Sequence, residues 1–181
     1  MIDPAPPVPE TEHVFESCAL GIDPGLTSLG IAALRRRDRR LELLLADTVR
    51  TPGGLAEADR LRLIHEAVRD AIASARPDAV AVERVAWNKN QRTALHVARA
   101  TGVVLLAASE AGLPVEEYGP LEVKMAVTGQ GNADKAQVRD ALARLHGVRG
   151  VPAQADAADA VAVALCHLTQ SRLRRVARLA P

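Results

Sequence analysis

Four carboxylates stand where a folded chain has little structural use for them. Asp23 follows the apolar run Cys18 to Ile22 and precedes Pro24-Gly25. Glu83 closes a second apolar run, Ala79-Val80-Ala81-Val82-Glu83. A carboxylate leaving a buried strand costs free energy unless something pairs with its charge. Asp156 and Asp159 lie in Gln154-Ala155-Asp156-Ala157-Ala158-Asp159-Ala160, a spacing that puts both on one helix face, where like charges repel. Simpler readings exist for each alone. A strand-end acid can reach solvent or cap a turn, and an acid near a helix N-terminus suits the dipole, which covers Asp156 better than Asp159. One demand accounts for all four together. Hard divalent cations such as magnesium take oxygen ligands from converging carboxylates. Two such ions can activate a water and stabilise the leaving oxygen during in-line attack on a phosphodiester. The acids would then repel one another until metal binds, so neutralising Asp159 is expected to raise the metal-free melting temperature.

Cations and one aromatic fall beside these acids. Arginine dominates the basic residues, and the only lysines are Lys89, Lys124 and Lys135, all near candidate site segments. A lysine kept in an arginine-rich chain points to a compact point charge, with coincidence among so few residues as the alternative. Trp87 sits in the polar stretch Trp87-Asn88-Lys89-Asn90-Gln91-Arg92. An exposed aromatic among cations suits stacking on unpaired bases; the other reading folds Trp87 back over its own strand end. Gly129-Gln130-Gly131-Asn132 precedes a helix and reads either as a phosphate-binding approach or as a plain loop with Asn132 as N-cap. The arginine-rich stretches 35–40 and 172–178 read as solvated surface. The five histidines are scattered and read as surface or packing residues, so the metal reading rests on oxygen ligands.

These residues need elements to hold them. Three strand candidates come first, Cys18 to Asp23, Leu29 to Leu34 and Leu41 to Val49, joined closely enough to be antiparallel. Arg35 to Arg40 is expected as a polar hairpin tip. Leu55 to Ala75 has Leu61, Ile64, Val68 and Ile72 at helical spacing. A strand over Ala79 to Glu83, a helix over Gln91 to Ala111 and a strand over Val115 to Tyr118 follow. Gly112 and Pro114 stop that helix. Leu121 to Val127, Asp134 to His146 and Ala155 to about Arg178 complete the set as helices. The order predicts an α/β fold, a mixed five-stranded sheet with its first three strands antiparallel and helices on both faces. Residues 1–17, with Pro4, Pro6, Pro7 and Pro9, are expected to form a flexible tail, and 18–178 a single domain.

Composition sets the bounds. With 181 residues, 48% apolar and 25% charged, the chain has an ordinary globular balance. A net charge of +1 neither favours nor excludes nucleic acid, since site carboxylates and phosphate-binding cations can cancel. Aromatics make up 2%, so the core must be built from Ala, Val, Leu and Ile. No apolar run is long enough to span a bilayer. Acids near the N-terminus do not fit a secretory signal, and a cytoplasmic location is expected. Cys18 and Cys166 lie in apolar runs and are expected as buried free thiols.

In combination these motifs resemble the RuvC family of crossover junction endodeoxyribonucleases. The likeness rests on Leu20-Gly21-Ile22-Asp23-Pro24-Gly25 followed by Gly30, on Val82-Glu83-Arg84-Val85, and on Gln154 to Ala160. Val123-Lys124, Gly129-Gln130-Gly131 and Lys135-Ala136-Gln137-Val138 lie between them, all in the family's order. The likeness runs from about Cys18 to about Gln170. It implies an RNase H-like nuclease domain and a homodimer that binds a four-way DNA junction and nicks two opposed strands symmetrically. It implies that Asp23, Glu83, Asp156 and Asp159 are catalytic ligands of Mg2+ or Mn2+, two ions per site, and that Lys124 and Lys135 contact phosphate. It also points to the RuvAB branch-migration complex as a partner. Ala98 and Gly102, small and four apart, would allow a close helix contact in a dimer or equally in the core. One departure stands out. The family commonly has Phe three positions after its Glu, where this chain has Ala86 followed by Trp87, so the stacking role moves to Trp87, with Lys89 beside it as a DNA contact, or is absent. Two rival readings remain. An actin-like ATPase would share the strand-Asp-Gly-Thr opening but needs a second lobe that this length does not hold. Loss of any of the four carboxylates would point to a non-catalytic junction-binding protein, and all four are present.

Overall fold

The structure, a computed structural model, describes residues 16–84 and 91–179, with the side chains of residues 91–93 and 172–179 outside that description. Trp87, Lys89 and the proline-rich segment therefore lie outside the described residues. The strands are β1 (Glu16–Asp23), β2 (Ser28–Arg37), β3 (Arg40–Arg50), β4 (Ala79–Glu83) and β5 (Val115–Tyr118). The helices are α1 (Glu57–Ala75), α2 (Gln91–Glu110), α3 (Pro120–Thr128), α4 (Lys135–Arg144) and α5 (Ala155–Leu179). The sheet order is β3-β2-β1-β4-β5. β1, β2 and β3 pair antiparallel, while β4 and β5 join parallel to β1 and to each other.

Alternation along the strands sends two different surfaces to the two faces. Leu20, Ile22, Leu29, Ile31, Val80 and Val82 point to the side covered by α1 and α2, where Ile64, Val68, Val104 and Ala107 complete a core of large aliphatics. The opposite side presents Ala19, Ala32 and Ala81, and α5 lies across it, with Ala160 to Cys166 buried and α3 and α4 packed outside. Two glycines make that contact possible. A Cβ on Gly21 would stand 2.2 Å from the Ala160 carbonyl oxygen, and one on Gly30 would stand 1.9 Å from that of Asp156.

Several element ends have local causes. α1 stops at Arg76, whose φ of 48° is left-handed, because the following Pro77 disfavours another helical residue before it. Asp78 then accepts from the Cys18 amide at 2.7 Å and donates its own amide to the Cys18 carbonyl at 2.8 Å, fixing where β4 meets β1. Both cysteines are buried and free, as expected. Several boundaries shift from the sequence reading, two of them at the first hairpin and the first strand. The hairpin tip shrinks to Asp38-Arg39, with Asp38 at φ 54°, so most of the arginine run is strand. Asp tolerates that conformation better than most residues. Glu16 and Ser17 belong to β1, not to a tail. They pair with Arg37 and Arg36, and Glu16 forms ion pairs with Arg35 and Arg37. Among the described residues, no helix is long and apolar enough to cross a membrane.

The glycine contacts predict a sharp asymmetry. Gly21→Ala should destabilise the chain by at least about 2 kcal/mol, because its Cβ meets helix backbone that cannot turn aside. Gly53→Ala, where nothing lies within 4 Å, should stay within about 0.5 kcal/mol of wild type. Urea unfolding of the two variants measures the difference. Equal stabilities would mean that α5 does not sit this close to β1.

Candidate active site

Strand register brings the first two acids together. β1 and β4 run parallel, with Ile22 beside Val82, so the next residues, Asp23 and Glu83, leave neighbouring strands at the same end. Two residues earlier on the same face lie Gly21 and Ala81. α5 crosses that face, and its N-terminal turn rests on Gly30, the β2 partner of Asp23. The backbone of Asp156 is thereby set against the strand pair that ends in Asp23, and Asp159 follows on the same helix. All four predicted carboxylates are half-buried at one end of the sheet.

Their electrostatics show that they share one field. Burial, followed by the charges of Glu83 and Asp159, a hydrogen bond with Glu83 and the charge of Asp156, pushes the Asp23 carboxyl up to about 8. A hydrogen bond between two carboxyl groups requires a proton, which the raised Asp23 carboxyl favours keeping. The other two acids have different partners. Ser28 donates its hydroxyl to Asp156 Oδ2. Lys135, at the start of α4, donates to Asp159 Oδ2. That bond, together with the charges of Asp159, Asp23 and Asp156, raises the Lys135 ammonium above its ordinary value although burial opposes it. Among the described residues no three His, Cys, Asp or Glu side chains form a tight ligand cluster. The donor set is nevertheless all oxygen and strongly anionic, which suits a hard divalent cation.

The turn between Asp23 and Ser28 is held from behind. Thr51, buried at the end of β3, donates its hydroxyl to the Leu26 carbonyl at 2.5 Å and its amide to the Thr27 carbonyl at 3.1 Å. Arg60 of α1 donates to Thr51 Oγ1 at 2.8 Å and to Thr27 Oγ1 at 2.9 Å. The sequence reading missed Ser28, Thr51 and Arg60. Only the polar pair Thr27-Ser28 inside an apolar stretch hinted at them.

Lys135 and Lys124 separate. Lys135 stands at the carboxylates, and a groove beside Asp159 is lined by Lys135, Arg139 and the small residues Ala136, Ala153, Ala155 and Ala158. Lys124 is half-buried on α3 and makes no ion pair among the described residues. The glycine-rich loop has structural duties. Gly129, at φ 73°, caps α3, and Asp134, not Asn132, caps α4, exchanging 2.8 Å bonds with Gln137. One amide of the first α4 turn, that of Gln137, is therefore met by the chain's own acid, which favours the capping reading of that terminus. The described histidines are engaged away from the carboxylates: His65 with Glu110, His96 with Glu57, His146 with the Val127 carbonyl and His167 with Tyr118.

The sequence family described as crossover junction endodeoxyribonuclease RuvC matches residues 19–167, the whole span that carries this site. The chain belongs to the RuvC family. It is 48% identical over 170 residues to the RuvC of Frankia alni, covering 90% of this chain and 85% of that one. It is 46% identical over 148 residues to the RuvC of Moorella thermoacetica, covering 82% and 89%. The structure of Thermus thermophilus RuvC in complex with a Holliday junction substrate superposes with a TM-score of 0.81 at 36% identity, over 87% of this chain and 96% of that one. The RNase H-like α/β fold expected from the sequence is therefore the fold of this RuvC-family chain.

Pairing with Lys135 moves the stability expectation from Asp159 to Asp23. Lys135 beside Asp159 offsets part of the repulsion there, whereas Asp23 is opposed by burial and by three neighbouring acids. Its proton is held in the folded state up to about 8 but released in the unfolded chain near 3.8. Metal-free stability should therefore be fullest below the lower value and fall as pH rises through the upper one. In chelator, Asp23→Asn should show a flatter profile and gain on the order of a few kcal/mol over wild type at alkaline pH. Urea denaturation at about pH 5 and about pH 9 tests this. Parallel profiles for the two proteins would refute the strain assigned to Asp23.

Proposed function

We propose that this chain is a structure-selective endodeoxyribonuclease that binds four-way DNA junctions and resolves them by paired symmetric nicks in homologous recombination and DNA repair. The observation that carries the reading is the convergence of Asp23, Glu83, Asp156 and Asp159 at one sheet end in a RuvC-family chain. Activity in this family depends on divalent metal. In our reading the four carboxylates hold two ions, Mg2+ or Mn2+. When bound, such ions activate a water for in-line attack on the phosphodiester and stabilise the departing oxygen.

The chain's own residues prepare for that chemistry. The proton between Asp23 and Glu83 must leave before both can act as ligands, so loading is favoured by rising pH. Asp159 must give up Lys135, whose freed ammonium can then turn to a phosphate beside the groove. Lys124 supplies a second phosphate contact. Trp87 is assigned to stacking in the junction and Lys89 to the neighbouring backbone, both outside the described residues. Symmetric nicking calls for a twofold dimer. Exposed Leu95, Leu105 and Leu106 on α2, with Ala98 and Gly102 between them, support that helix as the dimer contact. We place the enzyme in the cytoplasm, with the RuvAB branch-migration complex as partner.

Two experiments follow. Asp23→Asn should abolish cleavage of a four-way junction in magnesium yet leave junction binding largely intact, since binding rests on phosphate contacts elsewhere. Near wild-type cutting by this variant would remove Asp23 from the site. For the lysines, Lys124→Ala should weaken binding alike across sequences and reduce the salt dependence by about one unit. Lys135→Ala should do the same and also slow cutting. If either variant keeps the wild-type salt slope, that lysine does not contact phosphate.

A further inference from the structure

We propose that Ser28 is a positioning residue whose hydroxyl aims the Asp156 carboxylate for metal, an inference that rests on the metal-site reading above. Three observations support it. Ser28 opens β2 and donates to Asp156 Oδ2 across the gap between sheet and helix. The two residues are 128 apart in sequence, so the contact exists only in the folded chain. Gly30, two residues further along β2, brings the Asp156 backbone against that strand.

Ser28 itself is fixed. It pairs with Arg50 on β3, and the next residue, Thr51, grips Leu26 and Thr27 just ahead of Ser28. Arg60 reaches the same turn, at Thr27 Oγ1 and, at 3.3 Å, the Leu26 carbonyl. α1 thus braces the turn from one sheet face while Ser28 offers its hydroxyl to the other. A mobile serine would bond Asp156 in several rotamers; one on a clamped turn selects one.

The chemistry of the donor matters as much as its place. A carboxylate oxygen that accepts from a neutral hydroxyl keeps its full charge, and its other oxygen stays available. The ammonium on Asp159 acts differently, since it neutralises the acid and must be displaced. Holding Asp156 in one orientation beforehand spares the site the rotational entropy it would lose on loading. Partners of this kind, one bond behind a ligand, typically govern metal affinity by about 10- to 100-fold.

The test is a titration of Mn2+ against the melting temperature of the full chain without DNA, so that binding is read apart from cleavage. Ser28→Ala should need about 10-fold more Mn2+ than wild type for the same stabilisation. Ser28→Thr, which restores a hydroxyl at the same position, should lie within about 2-fold of wild type. Ser28→Cys keeps the size but donates weakly and should follow Ser28→Ala, which keeps the test open if the alanine variant folds poorly. An unchanged Mn2+ response in Ser28→Ala would overturn the proposal, as would a threonine variant as impaired as the alanine one. Asp156→Asn separates the two levels. If it loses the response while Ser28→Ala keeps it, only the role of Ser28 falls. If it too responds like wild type, the carboxylate site is wrong and the role of Ser28 falls with it.

Discussion

The close seat of α5 on β1 and β2 is the constraint on which the site depends. A helix packed on a sheet through ordinary side chains would hold Asp156 and Asp159 too far from the strand ends to share a field with Asp23. Gly21 and Gly30 remove the Cβ atoms that would collide with the backbone at Ala160 and Asp156. Alanines on both surfaces, Ala19, Ala32 and Ala81 facing Ala160, Ala162 and Ala164, keep the rest of the contact thin. Function therefore sets the composition of this face. The other face, under α1 and α2, is free to use Leu, Ile and Val, and the strands present Leu20, Ile22, Leu29, Ile31, Val80 and Val82 there.

The same closeness creates the site's electrostatic problem. Four acids drawn together raise the energy of the metal-free state, and the fold answers each in a different way. Asp23 and Glu83 share a proton, Asp159 takes Lys135, and Asp156 takes the Ser28 hydroxyl. These are substitutes for a cation, not competitors in permanence: a proton and a flexible ammonium can both leave, while a neutral hydroxyl can stay. None of the three answers buries a fixed positive charge among the acids, so none would block a cation from entering the proposed site.

Much of this was legible in the sequence, for identifiable reasons. Asp23 and Glu83 end apolar runs, and Asp156 and Asp159 repeat at helical spacing among alanines, so their oddness shows without coordinates. Element order followed from Pro, Gly and periodicity. The hairpin tip was misplaced because arginine strands on an exposed pair look like loop; their pairing partners, not their own composition, keep them extended. Asn132 reads as a cap only while the helix start is unknown, since a capping box is defined by register, here that of Asp134 to Gln137. Ser28, Thr51 and Arg60 were invisible for a deeper reason. Their roles are made by contacts across the fold, and a serine or threonine near a turn is too common to single out.

The partnership of Lys135 with Asp159 shows where sequence spacing and geometry part company. Both lysines carried over from the family as phosphate contacts, yet among the described residues only Lys135 rests against a site acid. Its side chain is 70% exposed, so the pair contributes little to stability in water. That weakness is what the site requires. A buried, strong ion pair at Asp159 would stabilise the metal-free state and oppose loading by the same amount. An exposed one holds the acid in place at small cost to the metal affinity proposed for it, and keeps a cation beside the groove.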